Sequence, residues 1–264
     1  MTAPFLIIGG YGTVGSHLIK VLREFQPELP LALAGRNADK AAEAAALYDN
    51  AIGVAVDTTR EDLGLGGARE FSGIALLTND LSTNPAKYAL RNAIPYTSIA
   101  TQLTHIAPKL ALHIQNSEKS VSLLLDTSFA GTLVMLGLSI ADQFSTIRDF
   151  KVGAVMDDAD LGGPAATSDH EDYAVAAAGL ILENGIWKRP TKEQENRTFT
   201  LLDGSSYDAS SFPSIDLAEL VAKTNALSAR LDFIIATTPQ RHAGGSPSVE
   251  IIYEIEGKSK LGED

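Results

Sequence analysis

Residues 9 to 16 read Gly-Gly-Tyr-Gly-Thr-Val-Gly-Ser, and this cluster stands between a short apolar run, Phe5 to Ile8, and an amphipathic stretch. In the stretch that follows, Val14, Leu18, Val21, Leu22 and Phe25 recur at one face of a helical period. A strand, a glycine turn and a helix in that order leave few options. Gly10 permits the tight turn, Gly12 lets backbone approach a bound pyrophosphate, and Gly15 lets the helix sit close to the strand. The helix start supplies free N–H groups and the positive end of a dipole, which suits an anion. Position makes the motif specific: the second glycine cluster, Gly64 to Gly67, has no strand leading into it, and the chain contains no G-x-x-x-x-G-K-[ST] loop.

The first half alternates between strand and helix periods, which predicts a βα repeat and a parallel sheet. Six buried strands are expected at Phe5 to Ile8, Pro30 to Ala34, Ile52 to Val56, Ile74 to Leu77, Tyr96 to Ile99 and Val121 to Leu125. Asn37 caps a helix from Ala38 to Tyr48, Asn84-Pro85 opens another, and Pro108 opens a fourth toward Asn116. After Asp126 the rhythm changes. A helix Thr132 to Phe144, a strand Phe150 to Met156 and an irregular acidic segment Asp157 to Gly163 are expected. The capping box Ser168-x-x-Glu171 then opens a helix running to about Leu182. Strands are expected at Trp187 to Arg189, Thr198 to Leu202, Leu231 to Ala236 and Val249 to Ile255, with a helix at Asp216 to Lys223. The fold class is therefore α/β, a Rossmann-type doubly wound parallel sheet with a second, smaller α+β domain. The expected boundaries are 1–126 for a dinucleotide-binding domain, 127–257 for a substrate and dimerisation domain, and 258–264 for a polar tail.

A site selective for NAD(H) places Asp or Glu at the end of the second strand. Here the position is Gly35, followed by the cation Arg36, with Asn37 and Lys40 adding donors and charge. That pattern suits a 2′-phosphate, so the expected cofactor is NADP(H). Asp57, after the third strand, is placed either to accept from an adenine amino group or to cap its own loop. Ligands of doubly wound sheets lie beyond the carboxyl ends of the strands, which nominates Thr78, Asn79 and Asp80 after strand four and Ala100 and Thr101 after strand five. Asp126, Thr127 and Ser128 follow strand six at the change of rhythm and are the candidate catalytic residues. A carboxylate there relays a proton or binds a substrate amine, and the hydroxyls donate to a carbonyl oxygen. The alternative is that Asp126 only ties the linker.

FLIIGGYGTVGSHLIKVL, LALAGRNADKA and the segment Leu182-Glu183-Asn184-Gly185-Ile186-Trp187 together resemble the saccharopine dehydrogenase-like oxidoreductases. The resemblance implies NADP(H) held through Gly10, Tyr11, Gly12, Thr13 and Val14 at the pyrophosphate and Arg36 at the 2′-phosphate. It also implies a second domain that shapes the pocket for a small-molecule substrate and forms a homodimer, and hydride transfer at a carbonyl or imine carbon. Ala130-Gly131 stands where the family often carries Pro-Gly. The other reading is a non-catalytic NADP-binding sensor of related fold. Short-chain reductase chemistry is excluded, because no tyrosine has a lysine four residues later.

Composition narrows the partners. With 21 Lys+Arg against 33 Asp+Glu the net charge is −12, which disfavours nucleic acid. With no cysteine, thiol chemistry is absent. No apolar stretch reaches the roughly 20 residues of a membrane span, and the start MTAP has no basic signal region, so a cytoplasmic protein is expected. His17, His105 and His113 have no metal spacing, and His170 is read as solvated at a helix start. Asp157, Asp158 and Asp160 read as a solvated loop, and Arg189, Arg197 and Arg241 as candidates for a substrate carboxylate or as surface residues.

Overall fold

The structure is a computed structural model that describes residues 3–66, 70–78, 80, 82–99, 103–119, 123–125, 128–160 and 179–261. The chain divides into two compact units, Met1–Asp126 and Thr127–Asp264.

In the first unit, strands β1 (Phe5–Ile8), β2 (Leu31–Gly35), β3 (Ala51–Ala55), β4 (Gly73–Leu76), β5 (Tyr96–Ser98) and β6 (Leu123–Leu125) form one sheet in the order 3-2-1-4-5-6. Every neighbouring pair is parallel. This is the doubly wound order whose direction reverses between β1 and β4. Strands β2, β3 and β4 sit within one residue of their expected positions, Pro30 contributing only its carbonyl, to Phe5 N–H. Residues 120–122 lie outside the described residues. Leu6, Ile7, Leu31, Leu33, Ile74 and Leu76 are wholly buried, as strands covered on both faces require.

Helix α1 (Thr13–Phe25) does not present the expected face. Val14, Val21 and Phe25 are 49%, 50% and 71% exposed, while Gly15 and Ile19 are buried and Leu18 and Leu22 pack behind them. The reason is Gly15. A Cβ there would lie 2.3 Å from the Gly9 carbonyl oxygen, so the helix meets the turn through Gly15 and its buried face centres on that residue. Helix α2 (Ala38–Ala45) is capped as expected, Asn37 Oδ1 accepting from Lys40 N–H, but ends before Tyr48. Helix α3 spans Asn84–Asn92 with Pro85 in its first turn. Helix α4 (Leu103–Gln115) contains Pro108 rather than starting at it, because the apolar pattern upstream carries the helix through the loss of one N–H bond.

The second unit is built on a mixed sheet. Its path is β10 (Asn196–Thr200), β11 (Ser206–Ser211), β12 (Ser228–Ile235), β7 (Phe144–Met156) and β13 (Val249–Ser259), with the hairpin β8 (Ile181–Glu183) and β9 (Ile186–Lys188) joined to β12. Among the described residues of this unit, β7 and β12 run parallel and the other pairs are antiparallel. Helices α5 (Thr132–Ala141) and Asp216–Thr224 cover one face, enclosing Leu133, Phe150, Leu220 and Leu231. Burying each such side chain contributes about 1.5 to 3 kcal/mol.

Several expectations change here. Helix α5 stops at Ala141 and Phe144 already belongs to β7, since Ile147 and Phe150 pack into the sheet core. Lys258 and Ser259 extend β13, paired with Thr146 and Phe144, instead of forming a tail. The last residues of the segment expected to be helical, Ile181 and Leu182, instead open strand β8 (Ile181–Glu183), after which Asn184 and Gly185 take φ of 50° and 80° and make the two-residue turn of a hairpin. Ser168, His170 and Glu171 lie outside the described residues.

Asp157 is not solvated. It is wholly buried at the end of β7, accepting from the Thr238 N–H and hydroxyl and the Ala159 N–H, with Arg241 Nε at 2.7 Å from Oδ1. Burial opposes the charge, yet these bonds hold its carboxyl well below the usual carboxylate range. Arg241 is thereby engaged with Asp157 and Asp158, and Arg197 with Asp232 and Glu254. Both guanidiniums are thus held by acidic neighbours. Arg189 is exposed, and Asp158 and Asp160 are exposed as expected.

Candidate functional site

The turn after β1 is shaped by four glycines, and the residue that takes the left-handed conformation is Gly9, at φ +88°, not Gly10. Gly9 N–H donates to the Ala34 carbonyl, and the Gly12 N–H returns to the Gly9 carbonyl, closing the turn. A Cβ at Gly10 would come within 3.0 Å of the Ile7 carbonyl oxygen, so the first motif glycine serves close packing. Gly12 caps α1 with no side-chain bond, and the first turn holds no acidic residue. The N–H groups there are therefore uncapped beside a positive dipole end, with Gly12, Thr13 and Val14 exposed around them. His17 Nδ1 donates to the Thr13 carbonyl one turn earlier.

At the end of β2 the ring of Tyr11 occupies the space over Gly35. A Cβ on Gly35 would lie 2.3 Å from the Tyr11 hydroxyl oxygen and 2.5 Å from Cζ. The hydroxyl accepts from Asn37 N–H at 3.3 Å. Arg36 and Lys40 are exposed beside it. Asp57 caps its own loop, Oδ1 accepting from the Thr59 hydroxyl at 2.7 Å and N–H at 3.0 Å; these bonds, with Arg60 and Arg36 nearby, lower its pKa.

The carboxyl ends of β4 and β5 carry a second group of polar side chains. Thr78 packs against the turn, its Cγ2 falling 2.8 Å from a Cβ built on Gly9. Asp80, 8% exposed, accepts through Oδ1 from the Ser82 hydroxyl and N–H, while its buried Oδ2 has no hydrogen-bond partner among the described residues. Lys109, 2% exposed, donates to Ser98 Oγ at 3.3 Å. Helical side chains lean toward their helix N-terminus, which carries this ammonium from mid-helix toward the carboxyl end of β5. Burial lowers the Lys109 pKa and the Asp80 charge opposes that; burial raises that of Tyr96, on the same strand face as Ser98. Asp80 is nominated from the sequence by its place after strand four, whereas Lys109 is not, although it stands three residues after apolar Ile106 on one helix face.

Of the remaining nominated residues, Asn79, Ala100, Thr101, Asp126 and Thr127 lie outside the described residues, and Ser128 begins a 3-10 helix, Ser128–Gly131. Among the described residues no group of three or more His, Asp or Glu is placed to hold a metal ion, and no helix is long and apolar enough to cross a membrane.

A scan against protein-family models and a search of curated proteins give no match. Solved structures do match. Apo saccharopine dehydrogenase (L-Glu forming) from Saccharomyces cerevisiae superposes with a TM-score of 0.59 at 12% identity, over 88% of this chain and 54% of that one. This chain thus spans about half the length of that enzyme. Scyllo-inositol dehydrogenase from Lactobacillus casei, with bound NAD(H) and scyllo-inositol, gives 0.53 at 12% identity over 98% of this chain and 75% of that one. GenD2 from gentamicin A biosynthesis, in complex with NAD, gives 0.51 at 14% identity over 96% and 72%. Likeness at these identities is a statement about architecture: this chain has the fold of the NAD(P)-binding Rossmann oxidoreductases.

Proposed function

We propose that the protein is an NADP(H)-dependent oxidoreductase acting at a carbonyl or imine carbon of a small molecule. The observation that carries this reading is the uncapped glycine turn at the β1–α1 junction, at the point where the 3-2-1-4-5-6 sheet reverses direction. The residues fit the group. Gly10, Tyr11, Gly12, Thr13 and Val14 supply the backbone for the pyrophosphate, and a side chain at Gly12 would intrude on it. Arg36, with Asn37 and Lys40, supplies positive charge and donors for the 2′-phosphate, with no carboxylate at Gly35 to repel it. Thr78 and Asn79 are assigned to the nicotinamide end. When bound, the cofactor supplies or accepts the hydride, leaving the chain to orient the substrate and move one proton.

Asp126, Thr127 and Ser128 are the proposed residues for that proton and for the substrate oxygen, and residues 127–257 are assigned the substrate and self-association role. The test is turnover of NADPH by the purified protein against a panel of carbonyl compounds and amino acids, followed through the reduced nicotinamide absorbance. Asp126→Asn keeps size and removes charge. The reading expects lost turnover with cofactor affinity and melting temperature retained; unchanged turnover overturns the assignment of Asp126.

A further inference from the structure

Resting on the assignment of the glycine turn as a dinucleotide site, we infer that Tyr11 sets the choice between NADP(H) and NAD(H). The backbone of Tyr11 belongs to the turn, but its ring reaches across to the end of β2 and takes the volume that any side chain at position 35 would need. A carboxylate reading a ribose 2′-hydroxyl has to project from that position. Tyr11 excludes it twice, by filling the space and by pinning its own hydroxyl to the Asn37 N–H.

The same hydroxyl accepts one bond and retains one proton to give, for which no acceptor is found among the described residues. That proton lies at the start of the segment carrying Arg36 and Lys40. An oxygen of a 2′-phosphate accepts it as a charge-assisted bond, whereas a 2′-hydroxyl offers a weaker acceptor and no charge. Tyr11 and Gly35 therefore act as a pair, in which the aromatic residue of one turn imposes glycine on the next strand end and donates where a carboxylate would accept. Arg36 and Lys40 add attraction, and the tyrosine removes the competing geometry.

The test is titration of NADPH and NADH, by calorimetry, against the whole wild-type chain, Tyr11→Phe, and the double variant Tyr11→Ala with Gly35→Asp. Tyr11→Phe keeps the ring and loses the hydroxyl, so NADPH affinity falls about tenfold while NADH affinity stays within about twofold. In the double variant the vacated space admits a carboxylate, and the NADPH-to-NADH preference moves toward NADH by about a hundredfold or more, for loss of the donor combined with repulsion of the phosphate. Equal effects on both cofactors, or no effect, in Tyr11→Phe overturn the inference while leaving the dinucleotide site standing. Absence of binding of either cofactor to the wild-type chain overturns the site itself. Should the double variant fail to show a cooperative melt, Tyr11→Phe alone decides the question.

Discussion

The backbone N–H of Asn37 donates to the hydroxyl of Tyr11 over 3.3 Å, tying the turn after β1 to the turn after β2. The bond holds the hydroxyl end of the ring against Gly35, in the space a methyl group would take. Gly35→Ala is expected to destabilise the chain by about 1 to 3 kcal/mol through overpacking, and Tyr11→Ala in the same chain to recover most of that loss. Urea unfolding of the single and double variants measures both values. Additive losses would show that the clash lies elsewhere.

Lys109 and Asp80 supply a second coupled pair. Lys109→Met removes the buried cation whose charge the Asp80 carboxylate supports, and the expected cost is about 2 kcal/mol. Replacing Asp80 by Asn as well removes the uncompensated charge, so the double variant should be more stable than Lys109→Met alone. A double-mutant cycle in urea reads the coupling, and a double variant at or below the single one would contradict it.

Asp157 predicts an acid limb of stability. Its folded carboxyl lies below the ordinary value of 3.8, so the unfolded chain takes up the proton first as pH falls. The contribution is complete above about pH 4 and is lost as pH drops further toward the folded pKa. Asp157→Asn should lower the melting temperature at neutral pH by roughly 5 °C or more, because Arg241 loses its buried partner, and should flatten the fall below pH 4. A variant that melts like the wild-type chain at neutral pH would contradict a stabilising ion pair at the buried Asp157 carboxylate.

Much of the first unit is legible because strands buried on both faces must be continuous apolar runs, as in Phe5 to Ile8 and Leu31 to Ala34. The face of α1 is not legible from apolar period, since contact at Gly15 rotates Val14 and Val21 outward. Strand β11, Ser-Tyr-Asp-Ala-Ser-Ser, carries one buried apolar residue, Ala209, and gives no strand signal. Asp157 looks like a loop acid because its partners, Thr238 and Arg241, lie about eighty residues away in sequence. The glycine motif is legible as a whole, but its division of labour is not: the left-handed φ falls on Gly9 and the Tyr11 ring on Gly35.

Arg36→Ala tests the proposed 2′-phosphate contact. NADPH binding should weaken by about 1 to 3 kcal/mol with NADH almost unchanged, since only NADPH carries the group that the guanidinium would hold. Equal losses for both cofactors would make Arg36 a structural residue.

The measurement that bears most directly on the account is calorimetric titration of NADPH into the wild-type chain and into Gly12→Val, with melting curves of both. Gly12 is exposed, and a side chain there would meet the Gly9 carbonyl oxygen at 3.2 Å and stand in the path of a pyrophosphate. Saturable 1:1 binding to the wild-type chain is expected, and none to a Gly12→Val chain that still melts cooperatively. Undiminished binding by folded Gly12→Val, or no binding by the wild-type chain, would contradict it.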